Sequence, residues 1–421
     1  MTVLPPPGME ATPTGTWRDR PTHRSWLDAE FARLLAFSND PRHPLGGFAW
    51  LATDGAAVTS QPVHTWITAR MIHVFALGSL RGLPGTTPWV DHGVRALEGL
   101  LRDHAHGGWY AAVDPDGRPA GRKDAYNHAF VILAASSATA GGRPGARRLL
   151  DDALAVFDGQ FWDDTGPGVT ESFALDFSDE EAYRGANSSM HTVEAFLAAG
   201  DVTGDDAWHD RALAIATHLI DEVARRHDWR LVEHFGPDWG PDLGYNADTP
   251  DDPFRPYGTT VGHWLEWARL LLHLEASLPT PPTWLAEAAT ALFDASVRVG
   301  WACDGHPGLP YTLDWQDRPV VSARLHWVMA EGIAAAAALH QRTAAPTYEA
   351  WYRTFWDHTA RHHLDLVDGS WHHELGPDLV PAGGTWQGKP DLYHAVQATL
   401  LPQLPLAPAL APQLARPADE A

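Results

Sequence analysis

The chain is nearly without cysteine: Cys303 stands alone in 421 residues. One thiol cannot close an intramolecular disulfide or build a cysteine-based zinc cluster, so neither a disulfide scaffold nor a zinc finger is open to this sequence. Positive charge is also scarce, with 30 Lys and Arg against 53 Asp and Glu and a formal charge of -23. Such a surface repels phosphate backbones and anionic lipid, which argues against nucleic acid and membrane as partners. No apolar run is long enough to span a bilayer, and the opening residues MTVLPPPGMEATPTGTWRDR lack the basic and apolar regions of a signal peptide. A soluble, cytoplasmic protein is the expectation.

Aromatic and imidazole side chains, by contrast, are abundant: 20 Trp and 24 His. Apolar residues at helical spacing, bounded by Gly, Pro or capping residues, predict twelve helices. Their spans are 26–37, 63–81, 87–105, 124–140, 146–158, 188–199, 205–226, 259–277, 282–299, 321–342, 346–363 and 390–402. Links inside each even–odd pair are short and turn-like, as in RGLPGT, GGRPG, GDVTG and PTPP. Links before the even helices are long and carry aromatic, turn-forming strings such as GGWYAAVDPDG, DWRLVEHFGPDWG and GSWHHELGPDL. Even helices start 61 to 71 residues apart, so the chain is read as six degenerate helix-pair repeats. Six helical hairpins that close on one another predict an all-α fold, an (α/α)6 barrel, with the even helices inside. All six long links, some forming short β-hairpins, then gather on one face. A flexible segment at 1–20, one barrel domain at 21–403 and a loose Pro/Ala-rich tail at 404–421 complete the expected organisation.

Chemistry is sought on that face. Three inner helices begin with a histidine and a carboxylate three residues apart: His191 with Glu194, His263 with Glu266, and Asp391 with His394. That spacing puts both groups on one helix face, where a carboxylate can fix an imidazole tautomer for acid–base work. One such pair alone is more often a surface or capping contact; three at equivalent repeat positions favour function. Metal ligation is the rival reading, but the di-iron pattern runs Glu-x-x-His and no HExxH occurs, so no metal is expected. Arg70 and Arg255 offer guanidinium donors, or else loop-bracing salt bridges. Tyr126, Asn127, His128 and Asn187 are neutral hydrogen-bonders suited to a polyol. Trp50, Trp109, Trp162, Trp301, Trp371 and Trp386 fall in the long links; most should brace loops, and no more than two should touch a ligand.

The strings ARMIHVFALG, YRGANSSMHTVEAFLAA, FRPYGTTVGHWLEWARLLL, ARLHWVMAEGIAAAA and GKPDLYHAVQA fall in order on five inner helices. Over roughly residues 26–402 they resemble the N-acylglucosamine 2-epimerase superfamily, in its mannose isomerase and sulfoquinovose isomerase branch. The resemblance implies a single (α/α)6 barrel and acid–base roles for His263 and His394. It implies substrate binding by Arg70, Tyr126, Asn187, His191, Arg255, Glu266, Trp327, Glu331 and Trp386, with Arg255 the least secure match. The implied reaction is metal-independent aldose–ketose isomerisation of a free monosaccharide, D-mannose to D-fructose, through a cis-enediol and with no cofactor. A sulfoquinovose isomerase, a sugar 2-epimerase, a glycoside hydrolase using Glu266 and Glu331, and a non-catalytic sugar-binding scaffold remain as alternatives. Between monomer and homodimer the sequence does not choose.

Overall fold

The computed structural model describes residues 4–7, 15–164 and 166–416. The odd, outer helices are α1 (Pro21–Leu35), α3 (Thr87–Glu98), α5 (Ala146–Val156), α7 (Ala207–Ala216), α9 (Trp284–Gly300) and α11 (Pro346–His358). The even, inner helices are α2 (Thr65–Leu80), α4 (Ala125–Ala140), α6 (Ala186–Thr203), α8 (Val261–Ser277), α10 (His326–Thr343) and α12 (Tyr393–Leu400). Each inner helix packs on the next and α12 returns to α2, which closes the ring.

Composition explains which helix goes where. In α2 fourteen successive residues, Thr65–Gly78, are buried, and α8 and α10 are likewise covered nearly all round. A helix without a polar face belongs in the interior. α5 instead buries one stripe, Leu149, Leu150, Ala153 and Leu154, and turns its arginines and aspartates to solvent. Small residues let the inner ring close tightly, as in the run Ala334–Ala338 of α10.

The long links form a belt that fixes where each inner helix begins. The two residues before an inner helix pair, antiparallel, with two residues of the following link: Val63–His64 with Ala112–Val113, Lys123–Asp124 with Ser172–Phe173, and Arg184–Gly185 with His234–Phe235. Thr259–Thr260 pairs with Thr312–Leu313 and Arg324–Leu325 with Glu374–Leu375 in the same way. The first N–H of α6, α8 and α10 then donates to the carbonyl of Glu233, Tyr311 and His373 respectively, each the residue just ahead of the paired strand. Lys389 N–H donates to the Leu51 carbonyl, joining the last link to the first. Buried cations rivet the belt: Lys123 to Asp103 at 2.6 Å, Arg324 to Asp304 at 2.6 Å and Lys389 to Asp365 at 2.7 Å. Trp109 and Trp371, fully buried, donate their indole N–H to the Leu97 carbonyl and to Glu30.

The terminal segments depart from expectation. Residues 404–416 are not loose: they end in a further helix, α13 (Leu410–Ala415), which packs against α2, α4 and α6 at the end of the barrel away from the links. Leu410 and Ala411 supply an apolar seat, and the Ala409 N–H donates to Asp201 at 2.6 Å. At the other end Trp17 N–H donates to Glu349, so residues 15–20 also belong to the packed body. Leu4 joins it too, its carbonyl accepting the Trp351 indole N–H at 2.8 Å, while residues 1–3, 8–14 and 417–421 lie outside the described residues. None of the described helices is long and apolar enough to cross a membrane.

Candidate active site

Two layers of side chains follow from where the inner helices start. Their second residues are Trp66, Tyr126, Asn187, Gly262, Trp327 and His394, and five of these line one cavity at the link face. Gly262 is the exception that makes room: a Cβ there would stand 2.3 Å from the Trp327 ring. His263, next in α8, therefore meets Trp327 with ring centroids 5.2 Å apart, and Trp327 meets His394 at 5.7 Å. The sixth residues of five of the helices are Arg70, Phe130, His191, Glu266 and Glu331, which form the floor and the layer beneath it. Counting its open mouth, the cavity encloses about 680 Å3.

Of the eleven residues expected to bind or react, nine line this cavity: Arg70, Tyr126, Asn187, His191, His263, Glu266, Trp327, Trp386 and His394. Glu331 lies directly under it, its Oε1 2.9 Å from His394 Nδ1. Arg255 does not reach it. Its guanidinium pairs with Glu181 at 2.7 Å and lies 3.7 Å from Glu171, in a neighbouring cleft beyond Tyr126 and Phe254. Asn127 and His128 are also turned away: Asn127 completes the Asp124 cap of α4, and His128 accepts from the Trp109 N–H. Of the six tryptophans in the long links only Trp386 enters the cavity. It is held there because Glu374 accepts the N–H groups of Gly384, Thr385 and Trp386.

The expected same-helix pairing is largely exchanged for pairing between repeats. His263 Nδ1 lies 3.0 Å from Glu233, not against Glu266, and Glu233 also accepts the Thr260 N–H. Asp391 precedes the first turn of α12, so it is no helical neighbour of His394; it instead pairs with Arg70 at 3.1 Å. Only His191 and Glu194 keep their pairing, at 3.7 Å, an ion-pair rather than a hydrogen-bond distance. A carboxylate can only accept, so Nδ1 carries the proton in both His263 and His394, and each Nε2 is left with its lone pair. Two imidazoles with free Nε2 on either side of an indole are equipped to pass protons to and from a ligand lying over it.

Beneath them lies a compact charge network. Arg269 reaches Glu331 at 2.9 Å, Glu266 at 3.4 Å and Glu194 at 3.8 Å. Burial, reinforced by Glu331, lifts the Glu266 carboxyl well above the usual range, and burial also raises Glu331 against the pull of Arg269. Burial opposes ionisation of Glu194 too, but His191, Arg269 and Tyr393 outweigh it and hold that carboxylate well below the usual range. Burial, with the positive field of Arg70, holds His394 well below the ordinary imidazole value, and burial lowers His191 to about 4. Both therefore start neutral. Burial disfavours the Arg70 cation, yet Tyr126, Asp391 and Tyr393 overcome this and keep it charged. Tyr126, accepting from Arg70 at 2.9 Å, is pushed by burial up to about 12 and stays a phenol that can donate. Two groups, His191 with Glu194 and Glu266, and Glu266 with Glu331 and His394, bring donor atoms close enough to share a cation. Arg269 already supplies one to all three carboxylates.

Residues that the sequence reading missed enter by one route. Glu233, Tyr311 and His373 each stand immediately before the second strand of a belt ladder, at equivalent positions in the strings LVEHFG, LPYTLD and WHHELG. Aligning the links as well as the helices would have brought them out. His326, the first residue of α10, and Phe254 also line the cavity.

Known proteins are similar to this chain in sequence and in fold. The chain is 58% identical over 401 residues to a D-mannose isomerase of Thermobifida fusca, covering 95% of this chain and 98% of that one. It is 49% identical to a D-mannose isomerase of Pseudomonas cannabina pv. alisalensis, over 95% of this chain and 97% of that one. A solved D-mannose isomerase superposes with a TM-score of 0.85 at 27% identity, over 91% of this chain and all but 1% of the other. Residues 46–398, almost the whole ring from the first link to the end of α12, match the N-acylglucosamine 2-epimerase (GlcNAc 2-epimerase) family, and the chain is a member of it.

Proposed function

We propose that this protein interconverts D-mannose and D-fructose by proton transfer between C2 and C1, with histidines as the acid and base and without a metal. The observation that carries the reading is the pair His263 and His394, each with Nδ1 on a buried carboxylate and each against Trp327. The D-mannose isomerase relatives at 58% and 49% identity support the same substrate.

The residues suit the chemistry step by step. The sugar ring lies on Trp327, where its C–H face meets the indole. His394, neutral at the start, moves a proton from the anomeric hydroxyl to the ring oxygen and so opens the ring. His263 Nε2 takes the C2 proton; the C2–H electrons form the C1=C2 bond, the carbonyl electrons move onto O1, and His394 Nε2 carries the O2 hydroxyl proton across to O1. Glu233 balances the imidazolium formed on His263, and Arg70 with Tyr126 donates to the oxygens of the enediol. Return of the His263 proton to C1, as the electrons on O2 form the C2 carbonyl, gives the ketose and restores the His263 imidazole.

Charge argues against a sulfonated sugar. Arg70 is the only Lys or Arg among the described residues lining the cavity, and Asp391 already matches it. An anionic substituent would find no spare cation there. The test is direct: EDTA-treated protein is incubated in D2O with D-mannose, and separately with sulfoquinovose, while NMR follows products and deuterium at C1 and C2. Fructose carrying deuterium at C1 is the expected product. Glucose in its place would make the protein a 2-epimerase, faster turnover of sulfoquinovose would move the substrate, and no change in either sugar would sink the isomerase.

A further inference from the structure

Two histidines in the cavity wall have no part in the proton transfers above. His326 and His373 stack face to face, ring centroids 3.7 Å apart and planes 15° from parallel, and both are buried. They differ from the acid–base histidines in one decisive respect. His263 and His394 each have a carboxylate on Nδ1, whereas His326 Nδ1 faces the His373 backbone carbonyl at 3.3 Å. His373 Nε2 is buried and finds no hydrogen-bond partner among the described residues. A carbonyl can only accept, so His326 carries its proton on Nδ1 and presents the lone pair of Nε2.

The groups around the stack keep it uncharged. Burial pushes both imidazoles well below their ordinary value; His373 disfavours a proton on His326, His394 acts on both, and Lys389, His363 and Arg70 act on His373. Asp391 pulls the other way on His326 and is outweighed. Neutral imidazoles without a carboxylate are poor acid–base catalysts but good readers of a hydroxyl: His326 offers the acceptor Nε2, and the unpartnered Nε2 of His373 serves as donor or acceptor according to its tautomer. Stacking fixes both ring planes, so these atoms are aimed before a ligand arrives. The His326 ring lies 6.4 Å from His394, beside the reacting centre rather than in it.

We propose that the His326–His373 stack is a specificity element that hydrogen-bonds one hydroxyl of the sugar away from the reacting C1–C2 edge. This rests on the isomerase reading given above. A polar wall built for a hydroxyl rejects the analogue that lacks it, because the buried nitrogens are then left unsatisfied.

The experiment compares D-mannose with its 3-deoxy, 4-deoxy and 6-deoxy analogues in the wild type, His373→Phe and His373→Gln. In the wild type one deoxy sugar is expected to lose about tenfold or more in kcat/KM, chiefly through KM. In His373→Phe, which keeps a flat ring, mannose should fall to that same level while the sensitive deoxy sugar falls no further. His373→Gln, which keeps a donor and an acceptor, should recover part of the preference. Equal loss for all four sugars in His373→Phe would mean a merely structural stack and overturns the proposal. So does a wild type that treats all four sugars alike, a result that needs no variant to fold. Failure of the wild type to turn over mannose at all would strike the isomerase reading instead, and this inference with it.

Discussion

Replacing Glu233 by Gln removes one charge from the reacting assembly and almost nothing else. The side chain is buried, does not line the cavity, and touches His263 Nδ1 at 3.0 and 3.1 Å while accepting the Thr260 N–H. In the resting enzyme a neutral imidazole N–H donates about equally well to an amide or a carboxylate oxygen. In the proposed mechanism His263 becomes an imidazolium in the transition state, and the carboxylate then contributes a charge-assisted bond worth about 1.5–3 kcal/mol. At about 1.4 kcal/mol per factor of ten, kcat should fall about 10- to 100-fold, with KM changing less than about threefold. Should the glutamine turn its NH2 toward Nδ1, the proton would move to Nε2 and the base would be lost, which acts in the same direction. Glu233→Asp, keeping the charge, should retain more activity than Glu233→Gln. Initial rates of fructose formation, with circular dichroism to verify folding, provide the assay. A Glu233→Gln enzyme with kcat within twofold of wild type would falsify the role given to this carboxylate.

Three further outcomes are expected. Burial lifts Glu171 from 4.5 to about 7, so the folded protein binds its proton more tightly than the unfolded chain does. The associated stability is complete below pH about 4.5 and is lost as pH rises through 7, which amounts to about 3 kcal/mol. Glu171→Gln should therefore raise the urea midpoint at pH 8 and leave it nearly unchanged at pH 4; equal effects at both would refute the assignment. Arg269→Met leaves Glu194, Glu266 and Glu331 without their shared cation and should cost about 3–5 kcal/mol in denaturant unfolding, together with activity. Truncation after Gln403 removes α13 from its seat on α2, α4 and α6, and uncovers a cavity that runs down to Glu194 and Arg269. Hydrogen exchange in the inner-helix segments around Ser137 and Gln397 should then rise, and unchanged protection would show that the tail seals nothing.

The fold was legible because its signals are local. Buried runs of α2, α8 and α10, short turns within pairs and long aromatic links between them are all properties of contiguous sequence. The site was legible only in part, for the same reason. Spacing along one helix brought out His191 with Glu194, and placed His263 and His394 at the right end of the right elements. It then assigned them Glu266 and Asp391, when their carboxylates come from the preceding link and the preceding inner helix. Arg255, near in sequence to His263, is drawn off by Glu181 because the link carrying it runs outside Phe254. The Pro/Ala-rich composition of the tail suggested looseness, but a few apolar residues suffice when the barrel end offers them a seat.

The belt of two-residue ladders has a bearing on how such barrels change over time. Because a link pairs with the strand that precedes the previous inner helix, the smallest piece that carries its own fastening is not a helical hairpin but an inner helix together with the link that comes after its outer partner. Exchanging a hairpin between homologues would sever two ladders and strand residues such as Glu233 and His373 beside foreign helices. Exchanging the offset unit would keep His326 with the His373 carbonyl that orients it, while the pairs His263–Glu233 and His394–Glu331 would still span two units. Recombination within this ring should accordingly find its viable crossovers in the links, between the strand that pairs backward and the strand that opens the next inner helix.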